Sequence, residues 1–480
     1  MMRALVVVHR WLGVALCLLF AMWFASGIAL HFVPYPDFDQ AERLSGEAPL
    51  AVAPGCCVSV ATALRSAGVE AADVRRVRLA MLDDRPVFHL LTWNSVAISV
   101  HADDGTPVVV DAGLATRIAS RFPGAHAADV IDLVEYDQWS VHHKWNPWRP
   151  FHRIRLNDAA DTILYVSART GEIVRDTNRL ERAVGWIGAV PHWLYPTALR
   201  RLPSAWRQTV IWISAAGIVG ALSGSALGVL RLRWRRGRPQ SPFHRWHLWH
   251  HVIGLGVALF LTTWIVSGFL SVNPGRWFSE AGLTRTQTEV YAGSAFDPDA
   301  FPFRLRPAAL LRSLAPDDAR EIDLVRIAGE PLYRVLGRSR RMFHADEAAT
   351  PVTEAQMQAL LARGASLVVP GAALRSTQLL DRADSYHYTR DGTPPSRLLR
   401  FEFADGTWVQ SDPASGDVID LLDPSRRAYR WWFDALHTLD VPVLAARPGL
   451  RSLVIVMLCA AGFAFSVTGV VIGWRRVRRS

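Results

Sequence analysis

Four long apolar runs, at residues 5–32, 210–230, 248–272 and 453–474, separate two stretches of mixed polarity. Each run is free of Asp, Glu, Lys and Arg after its first few residues, apart from Arg10 and the histidines at one edge. Roughly 20 apolar residues cross the hydrocarbon core of a bilayer, and a helix satisfies its own backbone polar groups there. The pattern therefore predicts four spanning helices. In the first mixed stretch, 58–66 has helical periodicity, 74–82, 86–92 and 95–101 alternate like strands, 103–105 reads as a turn, and 114–121 is helical again. The second repeats this order, with a helix at 307–314, strands at 322–327, 332–336 and 341–345, and a helix at 353–363. The fold class is an integral membrane bundle of four helices carrying two α+β domains. Its parts are a span at 5–32, a domain at 33–206, a span at 207–230, a loop at 231–247, a span at 248–272, a domain at 273–449, a span at 450–474 and a tail at 475–480.

The two halves repeat one another, the feature to seek before any fold is named. His9-Arg10-Trp11-Leu12-Gly13 falls on His250-His251-Val252-Ile253-Gly254 at an offset of 241, which also carries Trp23 to Trp264, Ser26 to Ser267 and Gly27 to Gly268. Further on the offset is 245. It carries Pro86 to Pro331, Gly171 to Gly416, Arg182 to Arg427, Trp186 to Trp431 and His192 to His437. A strand at 163–167 leads into Arg169-Thr170-Gly171, and one at 407–411 leads into Ala414-Ser415-Gly416. Each half starts and ends on the same side, so the expectation is parallel repeats about an axis along the membrane normal.

Charge fixes the orientation. The 480-residue chain has a formal net charge of +10, and twelve arginines flank the spans on one side: Arg3 and Arg10, six between 231 and 245, and four after 474. Short Arg-rich segments stay in the cytoplasm. Both termini and the middle loop are thus expected inside a bacterial inner membrane, with the large domains in the periplasm. Basic charge placed beside membrane spans is a topology signal and argues against nucleic acid as a partner. The first run is too long for a cleaved leader and lacks a small-x-small cleavage site. Cys17 and Cys459 lie in spans, and the adjacent Cys56 and Cys57 read as two small loop residues and not as a disulfide framework. The sequence has no Gly-rich dinucleotide fingerprint between strand and helix, no His-Glu-x-x-His motif and no nucleophile signature.

The helix followed by three strands, with its Thr-Gly-type hairpins, resembles the PepSY domain. The opening His9-Arg10-Trp11-x-Gly13 on a membrane helix, with Ser26-Gly27 near its far end, resembles the PepSY-associated transmembrane family. That family includes iron-regulated membrane proteins and ferrisiderophore reductases of bacterial inner membranes. The resemblance implies a role in iron uptake and, for its reductase members, b-type haems held by His between the helices. The expected cofactor is haem b, in two copies. The expected partners are the lipid bilayer, a ferric siderophore as acceptor, and a quinol or a separate cytoplasmic reductase as donor.

Ionisable residues at membrane depth default to a functional reading. His9 lies at the start of the first span, and His244, His247, His250 and His251 at the start of the third. His31 ends the first span, while His192 and His437 precede the second and fourth. At 100° per residue, His9, Gly13, Phe20, Gly27 and His31 fall within about 40° of one line, with His9 and His31 about 33 Å apart. His247, His250, His251 and Gly254 share a similar sector. Inward-facing His in a bundle is where haem is commonly built, and one imidazole on each side of the iron makes an electron-transfer site. A haem on the repeat axis takes one ligand from each half: His9 with His250 or His251, and His192 with His437. His31 falls on Val272 in the repeat and is an alternative outer ligand. Interfacial anchoring by amphipathic side chains and metal passage along a His path are the rival readings. His142, His143, Trp145, Arg149 and Arg153 form a basic aromatic patch, which suits an anionic ferric chelate or membrane-interface packing.

Overall fold

The computed structural model describes residues 2–479 apart from 54–55, 236, 302–309, 312–313, 315–317, 347 and 391–394. The first half runs through helix α1 (Met2–Phe32), two short helices α2 (Gln40–Ser45) and α3 (Val60–Ala67), and strands β1 (Val74–Leu82), β2 (Arg85–Thr92) and β3 (Ala97–His101). After helix α4 (Ala112–Ser120) come strands β4 (Asp129–Val134), β5 (Phe151–Arg155), β6 (Ile163–Ser167) and β7 (Ile173–Thr177). Helices α5 (Arg179–Ile187), α6 (Ala189–His192) and α7 (Thr197–Arg200) lead into α8 (Pro203–Leu230). A small hairpin of β8 (Arg233–Arg235) and β9 (Arg238–Gln240) joins it to α9 (Arg245–Leu270).

The second half repeats the order. It contains α10 (Arg285–Ala292), strands β10 (Glu321–Ile327), β11 (Glu330–Leu336) and β12 (Arg340–His344), and helix α11 (Glu354–Val368). Strands β13 (Leu374–Leu380), β14 (Leu398–Phe403), β15 (Trp408–Ser411) and β16 (Val418–Leu422) follow, then α12 (Pro424–Tyr429), α13 (Pro442–Ala445) and α14 (Pro448–Val477). Most of the helix expected at 307–314 lies outside the described residues.

Helices α1, α8, α9 and α14 are each long and apolar enough to cross a membrane. Two of them, α8 and α14, start five or more residues before their apolar runs. Pro203 and Pro448 sit at the first turn, where a missing N–H costs nothing and the fixed φ suits the helix. Arg207 then reaches over to the Val272 and Asn273 carbonyls, and Arg451 to Asp440, so charged first turns stay outside the apolar run. Side-chain caps start the shorter helices: Ser59 on α3, Asp111 on α4, and capping boxes Asn178/Glu181 on α5 and Thr353/Gln356 on α11.

The strand-forming stretches of the two halves do not stay apart. β1 pairs with β10 antiparallel, giving one six-stranded sheet in the order β12-β11-β10-β1-β2-β3. Each would otherwise be an open edge with unpaired backbone groups. Val77, Leu79, Phe88 and Leu90 from one half and Ile322, Leu324, Tyr333 and Val335 from the other bury into one continuous core. Each half adds a four-stranded antiparallel sheet, β4–β7 and β13–β16. The first closes on α4 through Ala115, Ile118, Ile154, Leu164 and Val166, the second on α11 through Met357, Leu361, Phe401 and Val409. β5 emerges from the stretch read in sequence as a basic aromatic patch, where Phe151 and Ile154 point into cores.

Arg78 and Asp323 stand directly opposite each other where β1 meets β10. They are also 245 residues apart, as are Arg76 and Glu321. Arg78 bonds Glu321 at 3.0 Å and Glu172, while Asp323 takes Arg76 at 2.6 Å and Arg334 at 2.6 Å. The structure also joins Cys56 to Cys57 in a disulfide against this core, which corrects the expectation of two unlinked loop residues.

Candidate functional site

Between the four long helices, histidines from the two halves meet in two places. Near the arginine-rich ends, His9 on α1 faces His250 on α9, with ring centroids 6.3 Å apart. Near the sheets, His192 at the end of α6 faces His437, again at 6.3 Å. From His9 to Gly27, the glycine beside His192, α1 rises about 27 Å, so one pair lies toward each end of the bundle.

Each imidazole is oriented through Nδ1. His9 Nδ1 contacts the Gly220 carbonyl at 3.1 Å and His250 Nδ1 the Thr468 hydroxyl at 2.9 Å. His192 Nδ1 lies 3.1 Å from the Trp23 carbonyl and 3.3 Å from Ser26, and His437 Nδ1 lies 3.0 Å from Ser267. A partner on one ring nitrogen fixes the tautomer and leaves the other lone pair for a ligand. Burial pushes the His437 imidazole down to about 4, with neighbouring His192 next, and burial lowers His192 as well. Both are therefore neutral at neutral pH, the form that binds a metal.

Close glycines make room for these rings. A Cβ on Gly224 would lie 2.5 Å from His9 Cε1, and one on Gly27 3.2 Å from His192 Cε1. Gly254 lets Phe465 approach, and Phe465 stacks on His250 at 4.7 Å. Gly13 has only Cys17 nearby, at 4.0 Å. Phe20, Trp23, Phe24, Phe260 and Trp264 fill the bundle around Leu261 and Ile265, and the Trp23 and Trp264 indole N–H groups are buried without a partner.

Two further candidates are engaged elsewhere. His251 uses both nitrogens, at 2.8 Å to Ser241 and 2.8 Å to the Gly228 carbonyl. His31 bonds Ser452 at 2.8 Å through Nε2. Two imidazoles bound to one metal at ~2 Å each place their ring centroids roughly 6 Å apart, so both facing pairs are spaced as two ligands of one metal centre would be. Among the described residues, no group of three or more His, Cys, Asp or Glu is arranged to hold a bare metal ion.

The basic aromatic patch divides in two. Arg149 is buried on internal carbonyls of Glu135 and Ser140 and stacks on Tyr136 at 3.8 Å. Arg153 pairs with Asp132 at 2.5 Å and with Asp137 at 3.2 Å. Both guanidinium groups are thus engaged within the domain. His142 and His143 stack at 4.2 Å, and Trp145 packs beside Arg175. Arg175 and Arg200, both buried here, were not among the sequence candidates.

A cavity of about 660 Å³ opens between α9 and α14 at the arginine-rich end, lined by Arg245, Trp246, Trp249, Phe463, Thr468 and Arg475. Its Thr468 is the residue that orients His250. In a comparison with protein families, the one described as the PepSY-associated TM region matches residues 6–476. Among curated proteins, none matches the chain.

Proposed function

The chain belongs to the PepSY-associated transmembrane family, and on that premise we propose that it carries electrons across a bacterial inner membrane to a ferric siderophore during iron uptake. The observation that carries this reading is the pair of facing imidazole sets, each at 6.3 Å. Haem b bound at both sites would supply one-electron transfer from one face of the membrane to the other. His9 and His250 would hold the inner haem and His192 and His437 the outer one, each residue of a pair coming from a different half, which we read as an internal duplication. Gly220, Thr468, Trp23 and Ser267 fix the rings so that Nε2 is offered. The aromatic residues between the sites exclude water from the path. The positive-inside pattern puts the termini in the cytoplasm and the sheets in the periplasm. A quinol reaching the groove beside Thr468 is the electron donor in this reading, a separate cytoplasmic reductase being the other source. At the outer side the acceptor's iron is reduced, and hard oxygen chelators hold Fe²⁺ less tightly than Fe³⁺, which frees the metal.

The test is the absorbance of detergent-purified protein, oxidised and then dithionite-reduced, for wild type and His437→Ala. A reduced b-type α-band that shrinks in the variant is expected. A featureless spectrum from cells supplied with haem would leave a non-redox PepSY binding module or a siderophore transport accessory in its place.

A further inference from the structure

Among the described residues of the first half, Arg175 and Arg200 are buried with no carboxylate in ion-pair contact; Arg149 is too, but its guanidinium is satisfied by internal carbonyls. Arg175 on β7 is 1 % exposed and Arg200 at the end of α7 is 3 % exposed. Arg175 donates to the Pro36 carbonyl and lies over Tyr35 at 5.0 Å and Trp145 at 5.6 Å. Arg200 lies over Tyr195 at 4.9 Å and Trp206 at 4.7 Å, with Nη2 3.5 Å from His143 Nδ1. Tyr35 and Tyr195 touch edge to face at 6.0 Å and tie the two stacks together. Four N–H groups in this cluster have no partner: Arg175 Nε, Arg200 Nε, Arg200 Nη1 and Trp145 Nε1. The nearby carboxylate of Asp137 is taken by Arg153 and by Tyr165 at 2.5 Å. Burial, then His143, Arg200, Lys144 and Arg175, push His142 down to about 3, so the charged groups acting on it are all basic. His143 and Lys144 beside the cluster are exposed, and Lys144 lies 3.6 Å from Asp37.

The second half treats the same positions differently. At an offset of 245, Tyr195 becomes Asp440, Ala189 becomes Asp434 and Trp145 becomes Arg390. Asp440 is 0 % exposed and bonds Arg390 at 2.8 Å and Arg451 at 2.9 Å, while Asp434 takes Arg390 at 3.0 Å. The buried Arg451 there has its own carboxylate and the exposed Arg390 has two, while the buried Arg430 is held on the Ser385 and Asp440 carbonyls. An uncompensated buried charge is costly, and cation–π contacts offset only part of that cost. Guanidinium forks match carboxylate oxygens.

We propose that Arg175 and Arg200, with Trp145 and His143, bind a carboxylate-bearing anion on the sheet side of the membrane. Two sources share this chemistry: a carboxylate of the ferric chelate, which rests on the function proposed above, and a propionate of a haem on the His192–His437 pair.

The test titrates full-length detergent-purified protein with citrate and ferric citrate by calorimetry, for wild type, Arg175→Gln and Arg200→Gln, with haem per chain measured on the same samples. Binding that weakens roughly tenfold or more in both variants, with haem per chain unchanged, establishes the chelate as the source. Absent citrate binding together with haem lost from the variants establishes the propionate. Citrate binding and haem content that the variants both leave unchanged overturn the proposal, as does no citrate binding with unchanged haem. Protein that lacks haem in every form but binds citrate through these arginines would sink the electron-transfer reading and keep this site. Arg200→Met guards against misfolding. Removing an unpaired buried cation should leave its thermal midpoint without citrate no lower than wild type, and citrate should raise the midpoint of wild type only. A midpoint lowered by Arg200→Met and unmoved by citrate in wild type would mean that the arginine only packs.

Discussion

His9 and His250, and likewise His192 and His437, occupy matching places in the two halves, whereas the charges around them differ from one half to the other. At the shared sheet, Arg76 and Arg78 stand where the second half has Glu321 and Asp323. At the membrane-proximal end, buried Arg175 and Arg200 lack carboxylates while Arg390 and Arg451 have Asp434 and Asp440. At the arginine-rich end, Arg245, Trp246, Trp249 and Arg475 line a groove, and the repeat-related positions are Ala4, Leu5, Val8 and Leu230. A ligand shared between halves needs the same imidazole from each. A sheet paired about the same axis cannot use the same charge twice, because Arg78 would then face another arginine, and like charges directly opposite destabilise a strand pair. Positions proposed to share a ligand are alike in the two halves, and positions that face one another across the sheet differ in charge.

Charge reversal at the sheet should have the largest effect. Arg78→Glu places a fourth carboxylate among Glu172, Glu321 and Asp323, and breaking buried pairs of this kind costs about 3–5 kcal/mol. The thermal midpoint in detergent should fall steeply, and adding Glu321→Arg should recover part of it. An unchanged midpoint in Arg78→Glu would mean that these charges do not hold the halves together.

A smaller effect separates the two imidazole sites. The Cβ of Gly224→Ala would press on His9 at 2.5 Å, whereas that of Gly268→Ala meets His437 at an ordinary 3.5 Å. The first substitution should lower the reduced haem band by the inner site's share, and the second should leave the band intact. Equal losses would show that the glycines do not shape the sites individually.

The four long apolar helices were legible because apolar runs without acids have few other uses, and β1 and β6 match the strands read at 74–82 and 163–167. The joining of β1 to β10 was not legible, since an edge strand's partner is not written in its own alternation. For the histidines, helix geometry gave the faces but not which nitrogens were already engaged. Ser241 and the Gly228 carbonyl take His251, Ser452 takes His31, and only tertiary packing brings them there. Arg175 and Arg200 were not legible because their burial depends on tertiary packing, Arg175 against Tyr35 and Trp145 and Arg200 against Tyr195 and Trp206. A sign was present in the repeat itself, where Asp434 and Asp440 have no acidic counterpart at Ala189 and Tyr195.

The pairing of imidazoles across the halves is tested most directly by counting haem per chain as the pyridine haemochrome in four single variants, His9→Ala, His250→Ala, His192→Ala and His437→Ala, and in their pairwise combinations. Two haems per wild-type chain are predicted, and one in each single variant. The doubles His9→Ala/His250→Ala and His192→Ala/His437→Ala should keep one, while any double that takes one residue from each pair should keep none. Single variants that retain both haems, or a His9→Ala/His250→Ala double that loses both, would contradict the assignment of one site to each facing pair.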